Sequence, residues 1–276
     1  MPYRLLALDV DGTILDPNGE LRPAVQQAIA AVRKQGIQVI LCTGRRFRSA
    51  LPIAQRLALE TPLVVHNGAL VKDPTNAETL YQTVIGSTVY QHAIACLRQL
   101  SVPMLYVDAF NEHVDILTED MQRAHPFQQA YLNDILSHCR IVPDIDTPPP
   151  YGVLMIAIMA EVTRLRPLQS QLAGILAEQA HMHMLINKNY QGHILQVLPP
   201  NVSKWKALRQ LAHDAGVEKD AIVAVGDDEN DMEMIQQAGL GIAMGNAETK
   251  VKDVADHVTG GNAEDGLAQA IKRFLL

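Results

Sequence analysis

The stretch YRLLALDVDGT at residues 3–13 joins an apolar segment of strand length to an acidic turn. In an extended chain, residues i and i+2 point to the same side, so Asp9 and Asp11 face one spot about 7 Å apart along the backbone. Two carboxylates this close raise each other's pKa unless a cation lies between them. Taken alone, the stretch also fits a strand that ends in a polar turn, because Asp and Gly are ordinary turn residues.

Beyond this turn, segments with helical and strand-like patterns alternate along the chain. Residues 22–35 and 47–59 have the apolar spacing of helices, whereas 37–42 and 63–65 are apolar runs of strand length. Continuous apolar strands joined by helices are typical of a parallel sheet that is covered on both faces. We therefore predict an α/β fold built on a doubly wound parallel sheet.

A different pattern begins near residue 84. Residues 104–107 and 113–116 predict a β-hairpin, and residues 118–136 predict a helix. Hairpins mixed with helices indicate an α+β unit, which differs from the parallel arrangement of the first part. The α/β alternation returns after the Pro-Pro pair at residues 199–200.

This change of pattern predicts two domains. We expect a core formed by residues 1–83 and 199–276, and an inserted α+β domain at residues 84–198. A chain of 276 residues is long enough for this arrangement. Hydrophobic residues make up 48% of the chain and charged residues 19%, which is the composition of a soluble globular protein.

The overall charge argues against two classes of partner. The formal net charge is −7, so no overall basic field is present to attract nucleic acid or an anionic membrane. The three cysteines form no C-x-x-C motif, which fits a reducing compartment. The first residues do not resemble a signal peptide, and the longest apolar stretch, at 152–160, is too short to cross a bilayer. These features predict a soluble cytoplasmic protein, and no pattern indicates its oligomeric state.

Four polar clusters follow predicted strands. They are DVDGT at 9–13, TGR at 43–45, NG at 67–68 and GDDEND at 226–231. In open α/β sheets, ligands bind beyond the carboxyl ends of the strands, so we expect these clusters to meet. Carboxylates gathered at one edge need a hard divalent cation, and an all-oxygen set favours Mg²⁺ with phosphate as a further ligand.

Four motifs in this order resemble those of the haloacid dehalogenase superfamily, whose members are mostly phosphatases. The motifs are DVDGT at 9–13, CTGR at 42–45, SKWKAL at 203–208 and GDDENDMEM at 226–234. The later stretches GLGIAMGNA and EDGLAQAI, together with the inserted domain, resemble the Cof-type branch, which carries a large α/β cap between its second and third motifs. The resemblance covers the core from end to end, and in the inserted domain it is architectural only.

The resemblance implies a covalent route for the hydrolysis of phosphate esters. Asp9 would attack phosphorus to form an aspartyl phosphate. Asp11 would act first as the general acid on the leaving oxygen and then as the general base on water. The groups that would hold the phosphoryl oxygens are Val10, Thr43, Gly44, Lys204 and Asn230.

The resemblance also implies a Mg²⁺ site. The ion would be held by Asp9, by the backbone carbonyl of Asp11 and by Asp227. Asp231 would either bind the ion directly or hydrogen-bond to the groups that do. Mg²⁺ is therefore the one cofactor that we expect.

Several residues near these motifs also have a purely structural interpretation. Lys204 fits an ordinary lysine in the first turn of a helix, and Trp205 stands where the Cof-type branch often has Gly. Thr13 is interpreted as a turn hydroxyl. Asp228 and Glu229 are interpreted as acids that are either solvated or placed behind the metal ligands, and not as ligands themselves.

Other kinds of site fit the sequence less well. An EF-hand beginning at Asp227 fails because Met232 stands where Gly is required and Ala238 where Glu is required. His181 and His183 share a strand face, as two zinc ligands would, but no third ligand stands out, so a polar strand face is preferred.

The predicted function is Mg²⁺-dependent hydrolysis of small phosphorylated metabolites, such as sugar phosphates, nucleotides or cofactor phosphates like pyridoxal phosphate. A phosphomutase of the same superfamily is an alternative, because it uses the same nucleophile and acid. A signalling module that holds a phosphoaspartate is a second alternative. Asp11 and the inserted domain both argue against it. The loop at 187–193 offers amides, a cation and an aromatic ring to the leaving group, whereas an aromatic content of 4% argues against a large planar ligand.

Overall fold

The computed structural model describes residues 3–187, 190 and 192–276. The chain forms two compact units, one from the N-terminus to Tyr81 and from Ser203 to Leu276, and the other from Gln82 to Val202. The predicted insertion at residues 84–198 lies within the second unit. None of the helices in the described part of the chain is long and apolar enough to cross a bilayer.

The chain contains both helices and strands throughout its length. Up to residue 82 the elements are β1 (Leu5–Leu8), α1 (Pro23–Lys34), β2 (Gln38–Leu41), α2 (Phe47–Arg56), β3 (Leu63–Val65), β4 (Leu70–Lys72) and β5 (Thr79–Gln82). The middle of the chain contains α3 (Ser87–Leu97), β6 (Met104–Ala109), β7 (Val114–Thr118), α4 (Pro126–Asp134), β8 (Cys139–Ile141), β9 (Met155–Ala160), α5 (Val162–Leu176), β10 (His181–Asn187) and β11 (Gly192–Leu198). The last part contains α6 (Lys204–Asp214), β12 (Ile222–Gly226), α7 (Met232–Gln237), β13 (Leu240–Ala243), α8 (Thr249–Lys252), β14 (His257–Val258) and α9 (Gly266–Phe274).

The first unit is built on a five-stranded parallel sheet in the order β14-β13-β12-β1-β2. All four residues of the central strand β1 are fully buried, as expected for a strand covered on both faces. Trp205 and Leu208 of α6, together with Met234 of α7, pack in the same apolar cluster as Leu5 and Ala7 of β1. The predicted doubly wound α/β core is confirmed.

The register of this sheet decides which loops meet. Leu8 at the end of β1 lies opposite Val225 of β12 and Leu41 of β2. Because the three strands are parallel and in step, the residues that follow them emerge at the same edge. The chain therefore delivers Asp9, the loop that follows Cys42, and the loop that follows Gly226 to one place.

The prediction that residues 63–65 continue the main sheet needs a correction. These residues form β3, which begins a separate sheet in the order β3-β4-β5, with β3 and β4 antiparallel. β3 meets the edge of the main sheet through a parallel bridge between Cys42 and Val64, beside which the Thr43 amide donates a hydrogen bond to the Val64 carbonyl. The cause is the turn that follows β3, where His66, Asn67 and Gly68 have φ values of +49°, +56° and +96°. Three successive left-handed residues reverse the chain, so β4 returns beside β3.

The second unit contains a six-stranded sheet in the order β10-β11-β9-β6-β7-β8. Its strand pairs are antiparallel except for β7 with β8, and α3 and α5 pack against each other and against β9. The predicted hairpin is present as β6 and β7. The unit is therefore an α+β arrangement, which completes the predicted fold class.

The helix predicted over 118–136 is shorter than expected. Only α4, from Pro126 to Asp134, is helical, and Met121–Arg123 is a single 3₁₀ turn. The residue before a proline is disfavoured in the helical region, so His125 takes an extended backbone conformation. Its φ is −59° and its ψ is 145°, and its Nδ1 accepts a hydrogen bond from the Phe127 amide. Pro126 therefore fixes the start of the helix.

Gly68 allows the turn after β3 to approach the start of α6. A Cβ atom at this position would collide with the carbonyl oxygen of Ser203, and the φ of +96° is unfavourable for any other residue. Gly36 has a similar φ of +81°, but a Cβ atom there would meet no atom within 4 Å. A substitution at Gly36 therefore adds backbone strain alone, whereas the same substitution at Gly68 adds both strain and a collision.

We expect Gly68→Ala to destabilise the protein more than Gly36→Ala. The Gly36 variant should lose roughly 1–2 kcal/mol, which is the usual cost of a left-handed residue with a Cβ atom. The Gly68 variant adds a collision with backbone that cannot move without displacing the start of α6. Urea denaturation of both variants measures the difference, and equal losses would contradict the close approach.

Candidate active site

Three carboxylates meet at the edge of the parallel sheet. Asp9 follows β1, and Asp227 and Asp231 lie in the loop after β12. One oxygen from each side chain lies within 4.8 Å of the others, and Asp9 and Asp231 are buried. Among the described residues, this is the one group of three ligand-type side chains close enough to hold a metal ion. The structure thus brings together the side chains that the sequence assigned to the metal.

Lys204 connects two of these carboxylates. Its Nζ lies 2.7 Å from Asp9 Oδ1 and 2.7 Å from Asp231 Oδ1, and only 1% of its side chain is exposed. Lys204 is the first residue of α6, and the preceding Ser203 caps this helix by accepting a hydrogen bond from the Lys206 amide. The helix start therefore directs the ammonium into the acidic cluster. Its burial against two carboxylates contradicts the interpretation of Lys204 as an ordinary lysine in the first turn of a helix.

The electrostatics of the cluster favour an additional cation. Burial raises the pKa of Asp9 well above its ordinary value of 3.8, with Lys204 acting in the opposite direction and the neighbouring carboxylates raising the pKa further. Burial also raises the pKa of Asp227 to about 7, and the charge of Asp231 adds to the effect. Burial alone would lower the pKa of Lys204, but the two carboxylates outweigh it and raise the pKa. One ammonium thus balances the acids only in part.

Both carboxylate oxygens of Asp231 accept hydrogen bonds. Oδ1 accepts from Lys204, and Oδ2 accepts from the backbone amides of Asp227 and Asp228 at 3.1 and 3.2 Å. The side chain is fully buried. These bonds shape the loop after β12 and hold the backbone of Asp227 next to β1.

Asp227 is held by two neutral donors. The Thr13 hydroxyl donates to Oδ1 at 3.2 Å, and Asn246 Nδ2 donates to Oδ2 at 3.1 Å. A Cβ atom at Gly12 would collide with the same carboxylate, so glycine is required there. Thr13 therefore does more than stabilise its own turn. Asn246 was given no role in the sequence analysis, although it lies in the GLGIAMGNA stretch that carried part of the resemblance.

The side chain of Asp11 does not join the carboxylate cluster. Arg45 Nε and Nη2 donate to its two oxygens at 2.7 and 2.6 Å, and 60% of the Asp11 side chain is exposed. The hydrogen bond to Asp11 raises the pKa of Arg45. Arg45 is the last residue of the CTGR motif, but the sequence analysis did not assign it a role. The resemblance implies that Asp11 binds the metal through its backbone carbonyl, so the position of its side chain outside the cluster does not conflict with that role.

Three further predicted phosphate-binding residues lie in the loops that follow β2 and β12. Thr43 is buried, and its Oγ1 accepts a hydrogen bond from the Arg45 amide at 3.1 Å. Asn230 Nδ2 donates to Asn67 Oδ1 at 2.8 Å. A Cβ atom at Gly44 would lie 2.9 Å from the same Asn67 oxygen, so the backbone at Gly44 passes close to this pair.

One acceptor in this group stands out. Asn230 Oδ1 is buried and has no hydrogen-bond partner among the described residues. A buried carboxamide oxygen without a donor is costly, which indicates a place where a bound molecule supplies one.

The structure describes only part of the loop at residues 187–193, which was proposed to contact the leaving group. Residues 188, 189 and 191 lie outside the described residues. Tyr190 OH donates to Asp134 Oδ2 at 2.7 Å, and its ring packs edge-on against Tyr131 with the centroids 5.4 Å apart. The rings of His181 and His183 pack edge-on against each other. Neither histidine belongs to the cluster of possible metal ligands found among the described residues, which consists of three aspartates.

Comparison with known proteins identifies the family. Residues 6–271 match the sequence model of the haloacid dehalogenase-like hydrolases. The chain belongs to this family. The predictions of the superfamily and of an enzyme of the phosphatase class are confirmed.

Three proteins illustrate the similarity. The stress response protein YhaX of Bacillus subtilis is 29% identical over 285 residues, which cover 99% of this chain and 94% of YhaX. The pyridoxal phosphate phosphatase YbhA of Escherichia coli is 28% identical over 291 residues, covering all of both chains. A solved haloacid dehalogenase-like hydrolase from Bacteroides thetaiotaomicron is 28% identical with a TM-score of 0.81, covering 98% of this chain and 99% of that one.

The raised pKa of Asp227 predicts how stability depends on pH in EDTA. A carboxyl whose pKa is higher in the folded state binds more protons there, so the free energy of unfolding falls as pH rises between the two pKa values. For Asp227 this window runs from 3.8 to about 7. We expect wild-type stability, measured by urea denaturation in EDTA, to fall across this window.

Asp227→Asn should make this dependence shallower, because it removes one of the two acids with a raised pKa. The control is Glu229→Gln, which removes an exposed charge from the same loop and should leave the dependence as it is. A wild-type stability that is flat across the window, or an unchanged slope in Asp227→Asn, would contradict the assignment.

Proposed function

We propose that this enzyme hydrolyses phosphate monoesters of small metabolites at the edge where Asp9, Asp227, Asp231 and Lys204 meet. The observation that carries the proposal is the buried cluster of three carboxylates on one ammonium at the carboxyl ends of parallel strands. A phosphate ester needs a nucleophile, a proton donor and positive charge around its oxygens. The neighbouring residues provide each of these.

The donor set fits a Mg²⁺ ion. All candidate ligands are carboxylate or carbonyl oxygens, which are the ligands that Mg²⁺ prefers. We assign Asp9 and Asp227 as side-chain ligands, with the Asp11 carbonyl as a third. We assign Asp231 as a group that orients Lys204 and the Asp227 backbone, because its oxygens already accept three hydrogen bonds. When bound, the ion supplies positive charge to the reacting phosphoryl group.

Asp9 is the proposed nucleophile. Its carboxylate attacks phosphorus, the bond from phosphorus to the ester oxygen breaks, and an aspartyl phosphate forms. Water then attacks this phosphorus and releases inorganic phosphate, which restores Asp9. The hydrogen bond from Lys204 stabilises the ionised form of Asp9 and positions one of its oxygens.

Asp11 is the proposed general acid and base. It gives a proton to the leaving oxygen in the first step and takes one from water in the second. Both of its oxygens accept from Arg45 in this structure, so proton transfer requires Asp11 to exchange this partner for the leaving group. The exposure of its side chain leaves room for that rotation.

The proposed phosphate-binding groups come from the loops after β1, β2 and β12 and from the start of α6. Lys204 offers a charge, Thr43 a hydroxyl, and Val10 and Gly44 their amides. Preorganised donors of this kind stabilise the charge that develops on the phosphoryl oxygens. Asn230 acts differently, because its Nδ2 already donates to Asn67. Its buried Oδ1, which has no donor among the described residues, would accept a hydrogen bond from a hydroxyl of the substrate or from a water molecule.

We propose small phosphorylated metabolites as the substrate class, and the second unit as the cap domain that selects among them. The relative YbhA carries the name of a pyridoxal phosphate phosphatase, which supports a metabolite of that size. The proposal is tested by measuring phosphate release from a panel of sugar phosphates, nucleotides and cofactor phosphates with Mg²⁺ present. No release above background from any of them, or from p-nitrophenyl phosphate, would contradict the proposed reaction.

Asp11→Asn keeps the size of the side chain but removes its titratable proton. We expect turnover to fall by on the order of 10²–10⁴, as for other general acids and bases. Mg²⁺ binding should persist, because residue 11 is proposed to use its backbone carbonyl. Steady-state phosphate release from an alkyl phosphate, which has a poor leaving group, gives the measurement. Full activity on that substrate would rule out the proposed role.

Asp227→Ala removes one of the two proposed side-chain ligands. We expect Mg²⁺-dependent turnover to disappear, because Asp9 is then the one proposed side-chain ligand left beside the Asp11 carbonyl. The control is Glu229→Gln, which removes one negative charge from the same loop at an exposed position and should retain activity. Mg²⁺ titrations of activity compare the three proteins. An Asp227→Ala enzyme with the wild-type dependence on Mg²⁺ would show that the ion is held elsewhere.

A further inference from the structure

Asn246 contacts two loops that approach each other from different strands. Its Nδ2 donates to the carbonyl oxygen of Gly12 at 3.0 Å and to Asp227 Oδ2 at 3.1 Å. Gly12 belongs to the loop after β1, and Asp227 to the loop after β12. A single carboxamide therefore joins the loop that carries the proposed nucleophile to the loop that carries a proposed metal ligand.

The direction of this carboxamide is fixed from the other side. Asn246 Oδ1 accepts a hydrogen bond from the Asn262 amide at 2.9 Å, so the donor end must face Asp227. Asn262 is buried and donates from its own Nδ2 to the Leu15 carbonyl at 2.8 Å. The chain of bonds returns in this way to the segment that follows Gly12.

The backbone beside Asn246 is also held in place. The Gly245 amide donates to the Gly260 carbonyl at 3.0 Å, and the Met244 amide donates to the Gly226 carbonyl at 3.0 Å. Lys252 Nζ donates to the Gly245 carbonyl at 2.7 Å. The side chain of Asn246 thus projects from a backbone whose position is set before any ligand binds.

We propose that Asn246 is a positioning residue that sets the orientation of the Asp227 carboxylate for the cation. This inference rests on the proposed function. Asn246 and Thr13 each donate to a different oxygen of Asp227, which fixes the rotation of the carboxylate. Both donors are neutral, so they orient Asp227 without cancelling its charge, and each oxygen keeps lone pairs for an ion. Groups that hold metal ligands in this way contribute to metal affinity without touching the ion.

The test compares Mg²⁺ binding to the full-length wild type, Asn246→Ala and Asn262→Ala by isothermal titration calorimetry. Asn246 is exposed, so its truncation leaves no buried cavity, and we expect the variant to fold. We expect the dissociation constant for Mg²⁺ to rise on the order of 10-fold in Asn246→Ala. Asn262→Ala is the matched control, because it loses the bond to Leu15 but keeps the backbone amide that orients Asn246. It should lower the melting temperature and change Mg²⁺ affinity by less than about threefold.

Phosphatase kinetics give a second measurement. The Mg²⁺ concentration for half-maximal activity should rise in Asn246→Ala by the same factor as the dissociation constant. At saturating Mg²⁺ kcat and the KM for p-nitrophenyl phosphate should return close to wild type, because Asn246 acts through Asp227 and not on the substrate. A raised KM that persists at saturating Mg²⁺ would overturn the positioning role.

The outcomes separate this inference from the proposed function. If the wild type binds Mg²⁺ and Asn246→Ala binds it equally well, the positioning role is wrong and the proposed function stands. If the wild type binds no Mg²⁺, both are wrong. If Asn246→Ala and Asn246→Ser both lose cooperative thermal melting in EDTA, the residue serves folding and the inference is overturned.

Discussion

The buried ammonium of Lys204 is the charge around which the candidate site is assembled. It lies between Asp9 and Asp231, which are 195 and 27 residues away along the chain. A buried charge without a partner costs several kcal/mol, so the start of α6, the end of β1 and the loop after β12 must come together for any of the three to be stable. Formation of the site is in this sense coupled to formation of the core.

Around that charged centre, the supporting contacts are neutral. Thr13 and Asn246 hold Asp227, and backbone amides hold Asp231. Neutral donors orient carboxylates without removing their negative charge. The arrangement therefore keeps an excess of negative charge at the sheet edge, and a phosphate ester, itself an anion, can approach this edge only if a cation is present. The same geometry explains why a metal and a phosphate are expected together.

The sequence predicted the parts of the site that depend on strand ends. Asp9 and Asp227 could be placed together because parallel strands in register deliver the following residues to one edge. Arg45 and Asn246 could not be assigned, because their contacts depend on side-chain directions across turns and on residues far away in the chain. The helix expected over 118–136 was too long because Pro126 disfavours a helical conformation for His125 and so sets the helix start.

The raised pKa of Asp227 makes protons compete with a metal ion for this carboxylate. With a pKa of about 7, this carboxyl carries a proton in a substantial share of molecules near neutrality. On the proposed function, a cation would have to displace that proton to reach the oxygen, so metal uptake would release protons to the solvent. Acidification then competes directly with the ion, and the heat measured on binding includes the ionisation of whichever buffer accepts the proton.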